Sequence, residues 1–528
     1  MGDGMRVLAA GLALAVLAVT VGASSVEAAD LRIGRAAEQS SLDPQFASTG
    51  VNIDTAMDLF DGLVTSDAQN QTQPALAVAW KATDPTTWRI SLRPDVSFHD
   101  GSRFTAADVL FSLGRVNSVA NSPAPYLRAV RGISSVVAID PLTVEIKTSG
   151  PNPTLMEQVG MVFMLNAQAA AGLGTSDLNA GRGMVGTGPY KFAGWKPGQR
   201  LDMERNGAWW GGTPAWEHVS LRYIPADGGR VAALLAGDVD LIDSVPPAEA
   251  RHLEAEPRVK VFSIASTRIV YLAVDSARDI SPFVTDLAGK PLDRNPLKDA
   301  RVRLAISKMI DRNALANRLL DGSAEPAGQM VPQGLGGFDP TLPAPALDLA
   351  GARTLLGEAG YPQGFGITLH GSSDRLPQDG AVAQALGQML RRGGLAVNGV
   401  VPLPYNVYAS AASRQAYSLF LFSFGTSSGS ASEAYVTVLA SHDPANGLGS
   451  FNRARYSNPQ FDRLLVQALG EFDAGKRNDL LRQATHVAFT DTAIVPLYWQ
   501  IVHWAARRGI RYEPRRGEDT AARFARPE

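Results

Sequence analysis

WRISLRPDVSFHDGSRFTAADVLFSL, Trp88 to Leu113, decides how this chain is read. Its first six residues alternate apolar and polar side chains. Trp88, Ile90 and Leu92 stand against Arg89, Ser91 and Arg93, the period of a half-buried strand. Phe98-His-Asp-Gly101 then reads as a tight turn: Asp100 accepts local backbone hydrogens, and Gly101 takes a positive φ at no steric cost. Thr105 follows as an N-cap, its hydroxyl accepting from an early backbone N–H, and a helix runs from Ala106 to Leu113. Strand, turn and capped helix in so short a stretch make an α/β unit. His99 is given no catalytic role.

On either side the chain keeps alternating between the two periods. Residues 31 to 35 read as a strand, and Ile53 to Leu63 as a helix with apolar positions at helical spacing. Val136 to Ile139 and Thr143 to Ile146 flank Asp140-Pro141 as a hairpin. Alternating segments recur at Leu201 to Glu204 and Val219 to Tyr223, and a helix is expected over Gly229 to Ala236. From about Asn295 helices dominate: Asp299 to Ile310, Arg312 to Leu320, Leu347 to Gly360, Gln378 to Gly393, Phe461 to Leu469 and Lys476 to Phe489. Strands at Gly366 to Leu369 and Leu419 to Phe424 interleave with them. A mixed α/β lobe therefore follows a more β-rich one, with the change of texture near residues 265 to 295.

The first residues carry an apolar run, Val7 to Ala23, behind Arg6 and ahead of small residues. That is the layout of a signal peptide, 1–28, removed by cleavage after Ala28. No later stretch is long and apolar enough to cross a bilayer. The chain has no cysteine, which excludes disulfides, thiolate zinc sites, iron–sulfur clusters and a lipid-modified N-terminal Cys. An untethered exported protein is expected in a Gram-negative periplasm. Fifty-one acidic residues against 49 basic ones leave no electrostatic footprint for nucleic acid or an anionic membrane. The seven histidines are scattered without metal-ligand spacing, and Gly183 to Gly188 has its glycines in the wrong order for a dinucleotide loop. No cofactor and no metal is expected. About 500 mature residues call for two or three domains.

Ordered motifs cover nearly all of the mature chain. Ser41-Leu-Asp-Pro44, Leu59-Phe-Asp-Gly-Leu63, Leu76-Ala-Val-Ala-Trp80 and the opening stretch are followed by Gly186-Thr-Gly-Pro-Tyr-Lys-Phe192, Asn206-Gly-Ala-Trp-Trp210 and Gly237-Asp-Val-Asp-Leu-Ile242. Then come Arg301-Val-Arg-Leu-Ala-Ile306 with Asp311-Arg312, Ala350 to Gly360, and Tyr456-Ser-Asn-Pro459. Together they resemble the extracellular solute-binding proteins of the peptide/opine/nickel type (family 5), the substrate-binding components of ABC transporters. The resemblance implies an α/β, type II-like periplasmic binding protein clamshell. Its first lobe would take 29–73, 185–268 and 492–528, an inserted subdomain 74–184, and the second lobe 269–491. It also implies a monomer that hands a peptide or peptide-like solute to an inner-membrane ABC permease with its ATPase. Nickel, haem, opine and sugar binders of the same family are alternatives.

By position in such a fold, the ligand-binding residues are Ser48, Thr49 and Gly50 in the N-terminal loop and Tyr126 from the insertion. Arg268 and Tyr271 stand near the crossover, followed by Tyr405, Phe424, Thr426, Ser427, Ser428 and Glu433. Tyr498 and Trp499 belong to the returning C-terminal segment. Aromatic rings would supply apolar walls and hydroxyls direction, and Arg268 could meet a ligand carboxylate with two hydrogen bonds. Peptide binders of this family usually hold the ligand ammonium with an Asp in the cleft loop. Here Thr426-Ser-Ser428 offers only hydroxyls, and a buried ammonium without a counter-charge is costly. Either Glu433 reaches back, or another carboxylate serves, or the ligand is not a simple free-amine peptide. One enzyme reading competes: Gly425-Thr-Ser-Ser-Gly429 matches G-x-S-x-G after an apolar strand, which would make Ser427 the nucleophile of a secreted serine hydrolase.

Overall fold

The computed structural model describes residues 30–528. The expected signal peptide and its cleavage site lie outside the described residues. Strand Leu31–Arg35 is as expected. It lies between His218–Tyr223 and Leu241–Ile242, parallel to both, and Arg200–Arg205 and Tyr190–Lys196 extend the sheet antiparallel. A separate four-stranded antiparallel sheet is built from Ala77–Asp84, Thr87–Leu92, Thr143–Thr148 and Ile133–Asp140, in that spatial order. Helix Ala106–Arg115 follows the FHDG turn, where Gly101 has φ +87° and Asp100 accepts from the Ser102 N–H at 2.9 Å. The N-cap differs from expectation in where its charge sits. Thr105 donates both its N–H (2.8 Å) and its hydroxyl (3.2 Å) to the Asp108 carboxylate, so Asp108 carries the cap.

The second half builds Gly366–Ser372, Leu419–Gly425 and Ala396–Leu403 into a further set of strands covered by helices such as Asp379–Gly393 and Ala474–Thr490. Two long strands join the two sets: Val259–Val274 and Val495–Arg507. Residues 259 to 265 pair with 501 to 507 beside the N-terminal strands, and residues 269 to 272 pair with 495 to 499 beside Leu419–Gly425. The register breaks between Ala265 and Ile269. Past the break, Val270, Leu272 and Val274 enter one apolar cluster while Ile269, Tyr271 and Ala273 enter another. Both faces of this strand are covered, so its sequence carries no period of two.

One helix stops early. Ile53 to Leu63 was expected, but Gly50–Leu59 forms and Phe60 is extended. The Leu59 carbonyl accepts from the Gly188 N–H at 3.1 Å instead of continuing the helix. A Cβ on Gly188 would stand 2.5 Å from the Leu59 carbonyl carbon, and one on Gly186 2.0 Å from its oxygen. The glycines of the GTGPY motif are thus required by backbone crossing backbone. His99 locks the same crossing: its Nδ1 accepts from the Gly186 N–H at 3.3 Å and its Nε2 meets the Gly188 carbonyl at 3.1 Å.

Candidate functional site

Ending the helix at Leu59 turns Asp61 inward, where it is 3% exposed. Its Oδ2 accepts from Thr187 Oγ1 (3.1 Å), Trp209 Nε1 (3.2 Å) and Trp210 Nε1 (2.8 Å), and its Oδ1 from Arg523 at 3.0 Å. One carboxylate so gathers the LFDGL, GTGPY and NGAWW motifs and the C-terminal tail. Arg93 covers Trp210 at 4.4 Å, adding a cation–π contact behind the pair. Asp61, Trp209, Trp210 and Arg523 form one wall of a cavity of about 760 Å³, within the range of small-molecule sites. Its other walls come from the loop after Gly425, the segments around Arg128 and Glu157, and the tail from Glu513 to Arg526.

Seven of the expected ligand-binding residues line this cavity: Ser48, Gly50, Arg268, Thr426, Ser427, Ser428 and Glu433. The structure does not bring the other seven to its wall. Thr49 is exposed and donates to Asn52 Oδ1 at 2.9 Å. Tyr126 is buried in the core beneath the four-stranded sheet. Tyr271 and Trp499 are buried in one apolar cluster and Tyr498 in another, because their strands are covered on both faces. Tyr405 packs against Phe422 at 6.4 Å between ring centroids, and Phe424 against Phe451 at the same distance. Asp61, Trp209, Trp210, Glu157 and Arg523 line the cavity without having been singled out for it. Asp61 and the tryptophans stood inside quoted motifs, whereas nothing in the sequence marked Glu157 or the tail.

The cleft loop is organised by Glu433. Its Oε2 accepts from the Ser427 N–H (2.8 Å), Ser427 Oγ (2.7 Å) and Thr426 Oγ1 (3.1 Å). Its Oε1 meets Arg128 at 2.8 Å. Arg268 does not wait for an anion: it bonds Glu518 through Nε (3.0 Å) and Nη2 (2.9 Å). That pairing raises the guanidinium further above its ordinary range. The hydroxyl of Ser427 is spent on Glu433, and no histidine hydrogen-bonds it among the described residues. The helical segment after the G-x-S-x-G stretch begins only at Ser432, so the serine does not sit at a strand-to-helix corner. The next two histidines downstream are committed elsewhere, His442 to the Gly449 carbonyl and His486 to Asp339.

Residues 71–446 match the family described as bacterial extracellular solute-binding proteins, family 5 Middle. The glutathione-binding protein GsiB of Pectobacterium atrosepticum is 30% identical over 492 residues, covering 92% of this chain and 90% of that protein. The periplasmic binding protein DppA of Helicobacter pylori, solved with the peptide STSA, superposes with a TM-score of 0.75 at 23% identity, over 95% of this chain and 98% of that one. HbpA2 of Haemophilus parasuis superposes with a TM-score of 0.81 at 20% identity, over 95% and 100%. The α/β fold is therefore that of the two-lobed periplasmic binding proteins.

Proposed function

The chain belongs to the bacterial extracellular solute-binding proteins of family 5, the substrate-binding components of ABC importers, and we propose that it captures short peptides or peptide-like solutes in the 760 Å³ cavity. The observation that carries this reading is the make-up of the walls. Parts of the chain far apart in sequence converge there, and the Arg128–Glu433 ion pair joins two of them. A ligand touching all of them gains its affinity from drawing them together. The glutathione-binding relative, 30% identical, supports the peptide class.

The wider reading keeps the mature protein monomeric in a Gram-negative periplasm after cleavage behind Ala28, delivering its ligand to an inner-membrane permease and ATPase. An osmotic-shock fraction should contain a chain beginning near Ala29, whereas an intact N-terminus in the membrane pellet would contradict export and cleavage.

Calorimetry and thermal melting with tri-alanine, reduced glutathione and an N-acetylated peptide test the ligand class. A ligand at a hundredfold excess over its dissociation constant stabilises by about 2.7 kcal/mol. At least one peptide should raise the melting temperature by several degrees, and a flat response to all three would defeat the peptide reading. For the rival hydrolase, a serine-reactive phosphonate should leave Ser427 unlabelled; stoichiometric labelling would reinstate the enzyme.

A further inference from the structure

We propose that Glu157 is the counter-ion for a primary ammonium on the ligand, acting with Glu433 across the cavity, so that the site selects peptides with a free N-terminus. This deepens the reading of the cavity as a peptide site and rests on it.

Among the carboxylates that line the cavity, five have a guanidinium within ion-pair distance. Asp61 has Arg523 at 3.0 Å, Glu433 has Arg128 at 2.8 Å and Glu518 has Arg268 at 2.9 Å. Asp519 and Glu513 share Arg515, at 3.2 and 3.6 Å. Glu157 stands on the short helix Leu155–Val159 and lines the same cavity. It has no ion-pair partner and accepts no hydrogen bond among the described residues. Half-buried, it meets desolvation first and the Glu433 charge besides, which raise its carboxyl above the ordinary range against the pull of Arg477.

A carboxylate taken partly out of water with no ion-pair or hydrogen-bond partner, and only the more distant charge of Arg477 near it, costs free energy that a cation can return. The bookkeeping of the walls points the same way: six carboxylates and four guanidiniums line the cavity. The excess is negative, so a ligand that brings a positive charge is favoured over one that brings another carboxylate. The position also answers the missing Asp in the cleft loop. Thr426 and Ser427 hold Glu433, and the charge that an ammonium needs is supplied by Glu157 on the lining of the same cavity. An ammonium beside Glu157 would answer the one lining carboxylate that has no ion-pair partner and offset its repulsion with Glu433, whose own charge is shared with Arg128.

The test compares tri-alanine with N-acetyl-tri-alanine by calorimetry, on the wild type, Glu157→Gln and Glu157→Asp. On the wild type the free amine should bind at least tenfold tighter. Glu157→Gln should bring the two peptides within about threefold, and Glu157→Asp should restore part of the difference. Equal or tighter binding of the acetylated peptide to the wild type, or full discrimination kept by Glu157→Gln, would overturn the assignment while leaving the peptide site standing. If neither peptide binds the wild type, the peptide reading itself falls and this inference with it. The wild-type comparison needs no variant to fold.

Discussion

Asp61 and His99 each hold together motifs that look unrelated on the page, and each makes a prediction of its own. Asp61→Asn removes the charge opposite Arg523 and turns an amide nitrogen toward either Arg523 or the three donors on the other oxygen. Breaking a buried ion pair from one side typically costs about 3–5 kcal/mol, so urea unfolding should show a loss of that order. His99 is held neutral: burial first of all depresses its imidazole to about 4. The unfolded chain therefore takes up a proton near pH 6.5 that the folded chain refuses until about pH 4. Its contribution is complete above pH 6.5 and is lost as the pH falls through 4. Between pH 7 and 4 the wild type should lose roughly 2–3 kcal/mol more than His99→Gln, the value discounted for partial exposure. A variant with the same pH profile would show that His99 titrates freely. The FHDG turn was legible because Asp and Gly have local reasons to be there. The partner of His99 was not, since a histidine says nothing about a carbonyl 89 residues away.

At the scale of strands and helices, most of what alternates in the sequence alternates in space. Trp88 to Arg93, Leu201 to Glu204 and Val219 to Tyr223 lie on strands with one covered face and one open one, so their side chains record the difference. Val259–Val274 and Val495–Arg507 give no such record, having cores on both sides along much of their length. That is also why Tyr271, Tyr498 and Trp499 looked like cleft aromatics and are packed instead: near a crossover, position alone does not separate a wall from a core. The helix to Leu63 was overextended because Phe60 and Leu63 fit the helical stripe, and only the glycine crossing at Leu59 ends it. Two substitutions on one strand separate the cases. Leu272→Ala, fully buried, should cost about 2–5 kcal/mol. Lys260→Ala, exposed and paired with Glu528, should stay within about 0.5 kcal/mol. Equal effects would mean that the strand is loosened as a whole by either change.

For the whole molecule, the cleft is spanned by more than ligand. Arg128 reaches Glu433 at 2.8 Å, and the Trp88 and Phe472 rings lie 6.0 Å apart. Arg128→Ala should shift the ligand-free protein toward a wider opening, seen as a larger radius of gyration in solution scattering, and ligand should restore the compact form. An unchanged radius would place the hinge preference in the two long strands alone. The two-lobed plan and its family were readable from ordered motifs, and half of the expected ligand-binding residues do line the cavity. Part of the remaining lining comes from the tail from Glu513 to Arg526, whose residues follow no repeat and act through where the chain returns.

That return sets an order of events. Leu31–Arg35 pairs with Leu241–Ile242, which pairs in turn with residues 505 and 506, and Asp58 accepts from the N–H groups of Ala522 and Arg523. The beginning of the polypeptide is finished by its end. At about 5–20 residues per second, synthesis takes some 25–100 s to deliver those last partners, and until then the Leu241–Ile242 edge of the sheet is unpaired. Nascent chains halted after residue 490 should accordingly leave Leu31–Arg35 and Leu241–Ile242 more open to protease than full-length chains do, while the four-stranded sheet is protected in both. Completion of that one sheet waits, by connectivity alone, on some of the last residues made.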